Sequence, residues 1–341
     1  MLKTIPVEEA VGHVLVHDIT EIRPGEFKGP AFKKGHIVTE KDIPHLKRLG
    51  KERLYVLTLE PGELHEDEAA LRLATLIAGE NVVFDPKPSE GKISLKAKVK
   101  GLLKVDVDTL TQAAMIPEVC ISSLHNNTVV SEGQVIAATR VIPLVIKAHV
   151  VEIVENICGK KKIFEVKAFN RLSTGLIITG NEVYYGLIED KFNGAVTKKL
   201  RNYECDLINT IYCPDDKQKI MDAINSLISE NAQLIIISGG MSVDPDDVTR
   251  LAIAEAGATD IVYGTSILPG AMFLYAKIKG IPIMGLPACV IYFKTTVFDI
   301  MLPRVLAGEE IRREDIARLA HGGLCLNCEE CRYPVCPFGK A

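Results

Sequence analysis

Leu234-Ile235-Ile236-Ile237-Ser238-Gly239-Gly240-Met241-Ser242-Val243-Asp244-Pro245-Asp246-Asp247-Val248 joins an apolar run to a glycine pair and then to three carboxylates. Its first four residues have the pattern of a strand covered on both faces. Gly239 and Gly240 end that strand, because residues without side chains accept positive φ and let a ligand approach the backbone. Asp244 and Pro245 suit an N-cap and a first helical position, and Val248, Leu251 and Ala252 begin an apolar helical face. Asp247 then falls at the third helical position. One role for an acid there is purely local: the helix dipole favours it by roughly 0.3–1 kcal/mol when exposed. The other follows from its place, since open α/β sheets bind ligands at strand-to-helix junctions of this kind.

Outward from this stretch, strand and helix signals alternate over 164–310 and predict a doubly wound α/β domain. Leu176-Ile177-Ile178 predicts a first strand, Ala195 to Tyr203 a helix, and Leu207 to Ile211 a second strand. Pro214 and Asp215 are expected to start a helix whose Ile220, Ala223, Ile224, Leu227 and Ile228 share one face. Ile261-Val262-Tyr263, Met272 to Ala276 and Ile281 to Met284 predict further strands, and Ile291 to Leu306 a final helix. Residues 1–163 read differently. Short Val/Ile/Leu runs between Pro24-Gly25, Lys34-Gly35, Pro61-Gly62 and Glu132-Gly133 predict a small α+β unit at 1–60 and a β-rich unit at 61–163. Thr39 is expected to cap a helix carrying Ile43, Leu46 and Leu49, and Asp67 to Ala78 to form the one helix of the β-rich unit.

The 341 residues are 47% hydrophobic and 25% charged, ordinary for a globular protein of two or three domains. A formal charge of −4 gives no general attraction to nucleic acid, and Lys160-Lys161-Lys162 reads as a solvated turn. Acidic residues and His13 interrupt the first twenty positions, and no uncharged apolar stretch is long enough for a membrane span. The expectation is a cytoplasmic protein without nucleic-acid or membrane partners.

Three loops should emerge at the carboxyl ends of the strands: Thr179-Gly180-Asn181-Glu182-Val183, the glycine-pair loop with Ser242, and Gly285-Leu286-Pro287-Ala288. Glu182 alone is an ordinary surface acid and Pro287 an ordinary turn residue; in combination the loops line one crevice. Backbone N–H groups at Gly239 and Gly240 suit a phosphate. Asp247, Glu182 and Asp190 suit a divalent cation such as Mg2+ with its waters.

These motifs, in this order and with Pro269-Gly270 between the second and third, resemble the MoaB/Mog-type molybdopterin-binding domain. That domain is shared by molybdopterin adenylyltransferase, molybdopterin molybdenumtransferase and gephyrin, and the resemblance runs from about residue 172 to 307. It implies a Rossmann-like three-layer α/β fold and molybdopterin or its adenylate as ligand. It places Asp247 on the family's essential acidic position, Glu182 on the glutamate of a Thr-Gly-Asp-Glu motif, and Asp190 near an Asp-x-Asn site. It further implies molybdate as a co-substrate and a homo-oligomer. The molybdenumtransferases carry Pro-Gly-Lys-Pro where this chain has Pro269-Gly270-Ala271-Met272, and Gly-Leu-Pro-Gly-Asn-Pro where it has Gly285-Leu286-Pro287-Ala288-Cys289-Val290. Their N-terminal Asp-x-Ser-x-Met-Asp-Gly-Tyr motif has no counterpart, and a cysteine tail stands in place of their C-terminal β domain. Two readings follow: an enzyme that inserts molybdate with adenylate cleavage, and a carrier or sensor that delivers the pterin to a molybdoenzyme. A general nucleotide-binding protein is disfavoured by the lack of Walker-type and Gly-x-Gly-x-x-Gly motifs.

Of nine cysteines, Cys120, Cys158, Cys205, Cys213 and Cys289 are scattered, whereas Cys325, Cys328, Cys331 and Cys336 crowd residues 318–341. Their C-x2-C-x2-C-x4-C-P spacing is that of a four-thiolate metal site. It is close to a ferredoxin run, which points to an iron–sulfur cluster; a tetrahedral Zn2+ site tolerates the same spacing, and His321 offers it a replacement ligand.

Overall fold

The computed structural model describes residues 2–57, 59–242 and 248–340. Contacts divide the chain into two units, one of residues 1–98, 105–124 and 132–166, the other of 99–104, 125–131 and 167–341. Residues 1–60 and most of 61–163 lie in the first of these, with two excursions at 99–104 and 125–131. The excursions pair with each other, Leu102 antiparallel to Val129, and meet the rest of the second unit where Lys104 forms an ion pair with Glu309 and Lys100 Nζ donates to the Asn202 carbonyl at 2.6 Å.

In the first unit, Leu2–Pro6 pairs with Arg53–Leu57 and Ile19–Arg23 with Phe27–Phe32, around a small core of Val7, Leu15, Ile19, Phe32, Val38, Leu46 and Leu54. Thr39 and Asp42 form the expected capping box ahead of the helix Ile43–Arg48. A four-stranded sheet follows, ordered Val82–Phe84, Lys92–Ala97, Val135–Val141, Val119–Ser123. The expectation of one helix here is corrected: there are three, Glu66–Ile77, Val107–Ala114 and Ala148–Cys158. Asp106 caps the second by accepting the Thr109 N–H at 3.0 Å. In the third, Val151, Val154 and Cys158 are buried at intervals of three and four. The β-branched residues there suggest a strand, but helical period and burial outweigh propensity.

The second unit is built on a six-stranded sheet. Its elements in chain order are β1 (Thr174–Thr179), α1 (Asn181–Tyr184), α2 (Phe192–Arg201), β2 (Leu207–Cys213), α3 (Lys217–Ser229), β3 (Leu234–Ser238), α4 (Thr249–Glu255), β4 (Thr259–Tyr263), β5 (Leu274–Ile278), β6 (Ile281–Leu286), α5 (Cys289–Tyr292), α6 (Val297–Leu306) and α7 (Arg313–Arg318). The spatial order is β2-β1-β3-β6-β5-β4. The first four are parallel neighbours, β5 runs antiparallel to β6, and β4 antiparallel to β5. Side chains alternate across the sheet as period two requires. Leu176, Ile178, Leu234 and Ile236 face a core shared with α2 and α6; Ile177, Ile235 and Ile237 face one shared with α3 and α4. The three-layer α/β expectation therefore stands.

Helix boundaries shift for local reasons. The expected helix from Ile291 is broken: α5 ends at Tyr292, and α6 starts after Thr296, whose capping box with Asp299 satisfies the new N-terminus. The helix expected from Pro214-Asp215 starts at Lys217, where Asp216 accepts the Lys219 N–H at 2.9 Å. The expected N-cap Asp244, with Pro245 and Asp247, lies outside the described residues; the described part of α4 begins at Thr249.

Candidate functional site

The chain leaves β1 for β2 on one side and later returns through α3 to β3 on the other, so the switch point of the sheet lies between β1 and β3. A crevice outside the carboxyl ends of these strands is the expected ligand position. There the structure has a cavity of about 1050 Å³. Thr179, Gly180 and Glu182 line it from the first predicted loop, Gly239, Gly240 and Ser242 from the second, and Pro287 from the third. Pro269 and Gly270 complete the lining from the β4–β5 connection.

The glycine pair is required by packing as well as by backbone conformation. Gly239 has φ +91°, and a Cβ there would meet the Thr179 carbonyl oxygen at 2.4 Å. Gly240 has φ +59°, and a Cβ would meet Thr249 Oγ1 at 2.3 Å. The turn is so tight because buried Thr179 sits under it: its Oγ1 donates to the Ser238 carbonyl at 3.2 Å and lies 3.2 Å from Thr249 Oγ1. Tyr263 secures the far side by donating from its hydroxyl to the Met241 carbonyl at 2.8 Å.

Other predicted residues serve the site from behind. Ser238, Gly285 and Leu286 are strand residues outside the lining; a Cβ on Gly285 would meet Met241 Sδ at 2.8 Å, so this glycine lets the Met241 side chain pack against the sheet. Asn181 also lies outside the lining. Its N–H donates to Asp215 Oδ2 at 2.9 Å, and the Asp215 N–H donates to Asn181 Oδ1 at 3.2 Å. Asp215 itself lines the cavity, although its place after Pro214 suggests only a helix start.

Asp190 is not brought to Glu182's cavity. Its carboxylate accepts the N–H groups of Phe192 (2.7 Å) and Asn193 (3.3 Å) at the start of α2 and the Tyr212 hydroxyl at 3.0 Å, in a neighbouring depression with Arg201. Short sequence distance placed it with Glu182; the turn into α2 points it away. Asp247 cannot be placed, lying outside the described residues. Where the family's lysine is missing, Ala271 and Met272 line the cavity, and Lys191 brings a cation from the β1–α2 connection. Cys289 is a lining residue too, with its thiol pushed up by burial, which keeps it protonated rather than nucleophilic near neutral pH.

Cys325, Cys328 and Cys331 line a smaller cavity of about 260 Å³ with Tyr292, Phe293, Lys294 and Thr295, whereas Cys336 is outside that lining; Cys325 and Cys336 both pack against the core that includes α6. All four are free thiols. Among the described residues, no three His, Cys, Asp or Glu side chains are grouped as metal ligands. The tail is integrated with the sheet domain. Phe338 is buried, the Tyr333 hydroxyl donates to the Asp299 carbonyl at 3.1 Å, and Leu324 forms a parallel bridge with Leu268. No described helix is long and apolar enough to cross a membrane.

Comparisons with known proteins match the stretch of chain that carries this cavity. Residues 175–307 match the family model described as a probable molybdopterin binding domain, and residues 4–58 match a domain of unknown function (DUF8806). The chain is 27% identical over 150 residues to the molybdopterin molybdenumtransferase of Haemophilus influenzae, covering 42% of this chain and 37% of that protein. It is 32% identical over 88 residues to a CinA-like protein of Sulfurihydrogenibium, covering 26% and 22%. The chain thus spans well under half the length of these curated relatives. The molybdopterin biosynthesis enzyme MoaB of Thermus thermophilus superposes with a TM-score of 0.35 at 18% identity, over 40% of this chain and 98% of that one. Residues 175–307 of the chain therefore match a probable molybdopterin binding domain related to molybdenum cofactor biosynthesis.

Proposed function

We propose that the chain binds molybdopterin or its adenylate in the 1050 Å³ cavity and acts in molybdate insertion with adenylate cleavage. The observation that carries this reading is the convergence of three loops, far apart in sequence, on one cavity at the switch point of the sheet. The Gly239-Gly240 turn and Ser242 bind the phosphates, and the Pro269-Gly270 and Pro287 walls orient the ring system. Lys191 offsets phosphate charge that the family's lysine would otherwise meet. Glu182, exposed at the cavity, fits a role in holding Mg2+ through its waters, and Asp247 is proposed as its partner. When bound, Mg2+ supplies charge neutralisation at the phosphates. The protein's own contribution is positioning and electrostatic complementarity, the larger part of catalysis in phosphoryl chemistry.

A second reading, a pterin carrier or sensor serving a molybdoenzyme, is favoured by Ala271 and Met272 in the cavity wall, which remove a fixed cation from the phosphate side. The two are separated by supplying molybdopterin adenylate and molybdate to the purified chain. Release of AMP establishes the transferase; saturable binding without AMP establishes the carrier; no binding overturns both. The tail cysteines are proposed to hold an iron–sulfur cluster or Zn2+.

A further inference from the structure

The ligand cavity and the cysteine-lined cavity share one wall residue, Tyr292, whose side chain is largely exposed. The tail is joined to both sides of this wall. On one side the Leu268 N–H donates to the Gly323 carbonyl and the Cys325 N–H to the Leu268 carbonyl, each at 2.8 Å, and Leu268 lines the ligand cavity. On the other, Thr295 Oγ1 lies 3.2 Å from Cys331 Sγ, and Lys294 Nζ donates to the Glu329 carbonyl at 3.2 Å, just beyond Tyr292.

Resting on the pterin reading, we propose that Cys325, Cys328 and Cys331 form a thiolate metal centre whose occupancy fixes the Leu268 and Tyr292 walls and so sets the affinity of the pterin site. The chemistry is that of a soft, thiophilic metal: three cysteines at two-residue spacing face one cavity, and two of them are exposed to incoming metal. Among the described residues no three such side chains are grouped as ligands, so the centre requires the sulfurs to be drawn together. Residues 325–340 belong to no helix or strand, so drawing the sulfurs together breaks no regular hydrogen-bond ladder. Each thiol releases its proton on binding, and the metal takes the place of those protons. Because Cys325 is bonded to Leu268 and Cys331 lies against Thr295, immobilising the tail immobilises both walls. A preorganised wall removes ordering cost from ligand binding.

The test uses the full chain, purified anaerobically, with metal content measured directly. One zinc without colour identifies Zn2+, and stoichiometric iron with labile sulfide and visible absorption identifies a cluster; both support the centre. Cys328→Ser and Cys331→Ser should lose the metal while the main thermal transition is kept. No metal as isolated, no uptake from added Zn2+ and none from iron with sulfide would overturn the proposal. The metal-loaded chain should bind molybdopterin at least about fivefold more tightly than the metal-free chain, with metal affinity raised by the same factor when pterin is saturating. Equal affinities would overturn the coupling. Amide exchange reads the coupling without pterin: residues 266–270 and 289–296 should gain protection on metal loading, and unchanged exchange there would overturn it. If exchange slows but molybdopterin binds in neither state, the pterin reading fails and the metal-controlled wall stands.

Discussion

Thr179 Oγ1 stands 3.2 Å from Thr249 Oγ1, so a buried hydroxyl pair ties the end of β1 to the helix that follows the glycine-pair loop. The described Gly239-Gly240 turn is thereby packed between two buried hydroxyls.

Gly240→Ala is expected to cost about 1–3 kcal/mol of stability, because the new Cβ would contact Thr249 Oγ1 at 2.3 Å in a positive-φ conformation. It should also weaken molybdopterin binding by at least about tenfold, roughly 1.4 kcal/mol. Urea unfolding and direct titration measure the two effects. Wild-type stability with wild-type affinity would mean that the turn does not shape the site.

Glu182 and Asp190 should separate in opposite directions. Glu182→Gln, at an exposed cavity residue, is expected to change stability by no more than about 0.5 kcal/mol while abolishing Mg2+-dependent turnover. Asp190→Ala removes the carboxylate that accepts the Phe192 and Asn193 N–H groups and should cost about 0.5–2 kcal/mol with binding retained. Thermal unfolding run beside turnover decides; loss of turnover in a stably folded Asp190→Ala protein would return that acid to the site.

The tail is part of the domain core. Phe338→Ala should therefore destabilise the sheet domain by about 3–5 kcal/mol, as for other buried phenylalanines. Truncation after residue 312 would remove Ile316, Leu319, Tyr333 and Phe338 from the same core and should yield aggregated or unfolded protein. A truncated chain with unchanged melting would show the tail to be a separate appendage.

Acid sensitivity should centre on Arg304. This nearly buried guanidinium donates to Glu309 at 2.7 Å and Asp315 at 2.6 Å. Burial works to raise the Asp315 carboxyl, but the hydrogen bonds from Arg304 and the Arg312 N–H outweigh it and hold the group below the usual carboxylate range. A depressed folded value contributes stability above the unfolded value, near about pH 4, and loses it as pH falls through the folded value. Asp315→Asn should therefore be less stable than wild type at pH 7, with the difference shrinking below about pH 4. A constant difference across that range would remove Asp315 from the acid response.

The sheet was legible because apolar period is a local property: Leu176-Ile177-Ile178 and Leu234-Ile235-Ile236-Ile237 are unbroken, and a strand buried on both faces has no other pattern available. The site loops were legible for a related reason, since Gly180, Gly239, Gly240 and Pro287 mark turns at strand ends. The helix Ala148–Cys158 was not, because its β-branched residues and its helical spacing give opposing local signals that only burial against the first unit's core resolves.

By itself the sequence determined the alternating α/β character of the sheet domain, the order of the binding loops and the thiol-rich character of the tail, all consequences of residue type and spacing along the chain. Only the tertiary structure decided that Asp215 lines the cavity while Asp190 turns to α2, that the tail belongs to the core, and that Tyr292 stands between ligand and cysteines. The reason is directional: spacing says which side chains can share an element, but which of them meet across elements depends on strand order and on where each turn aims its carboxylate or thiol.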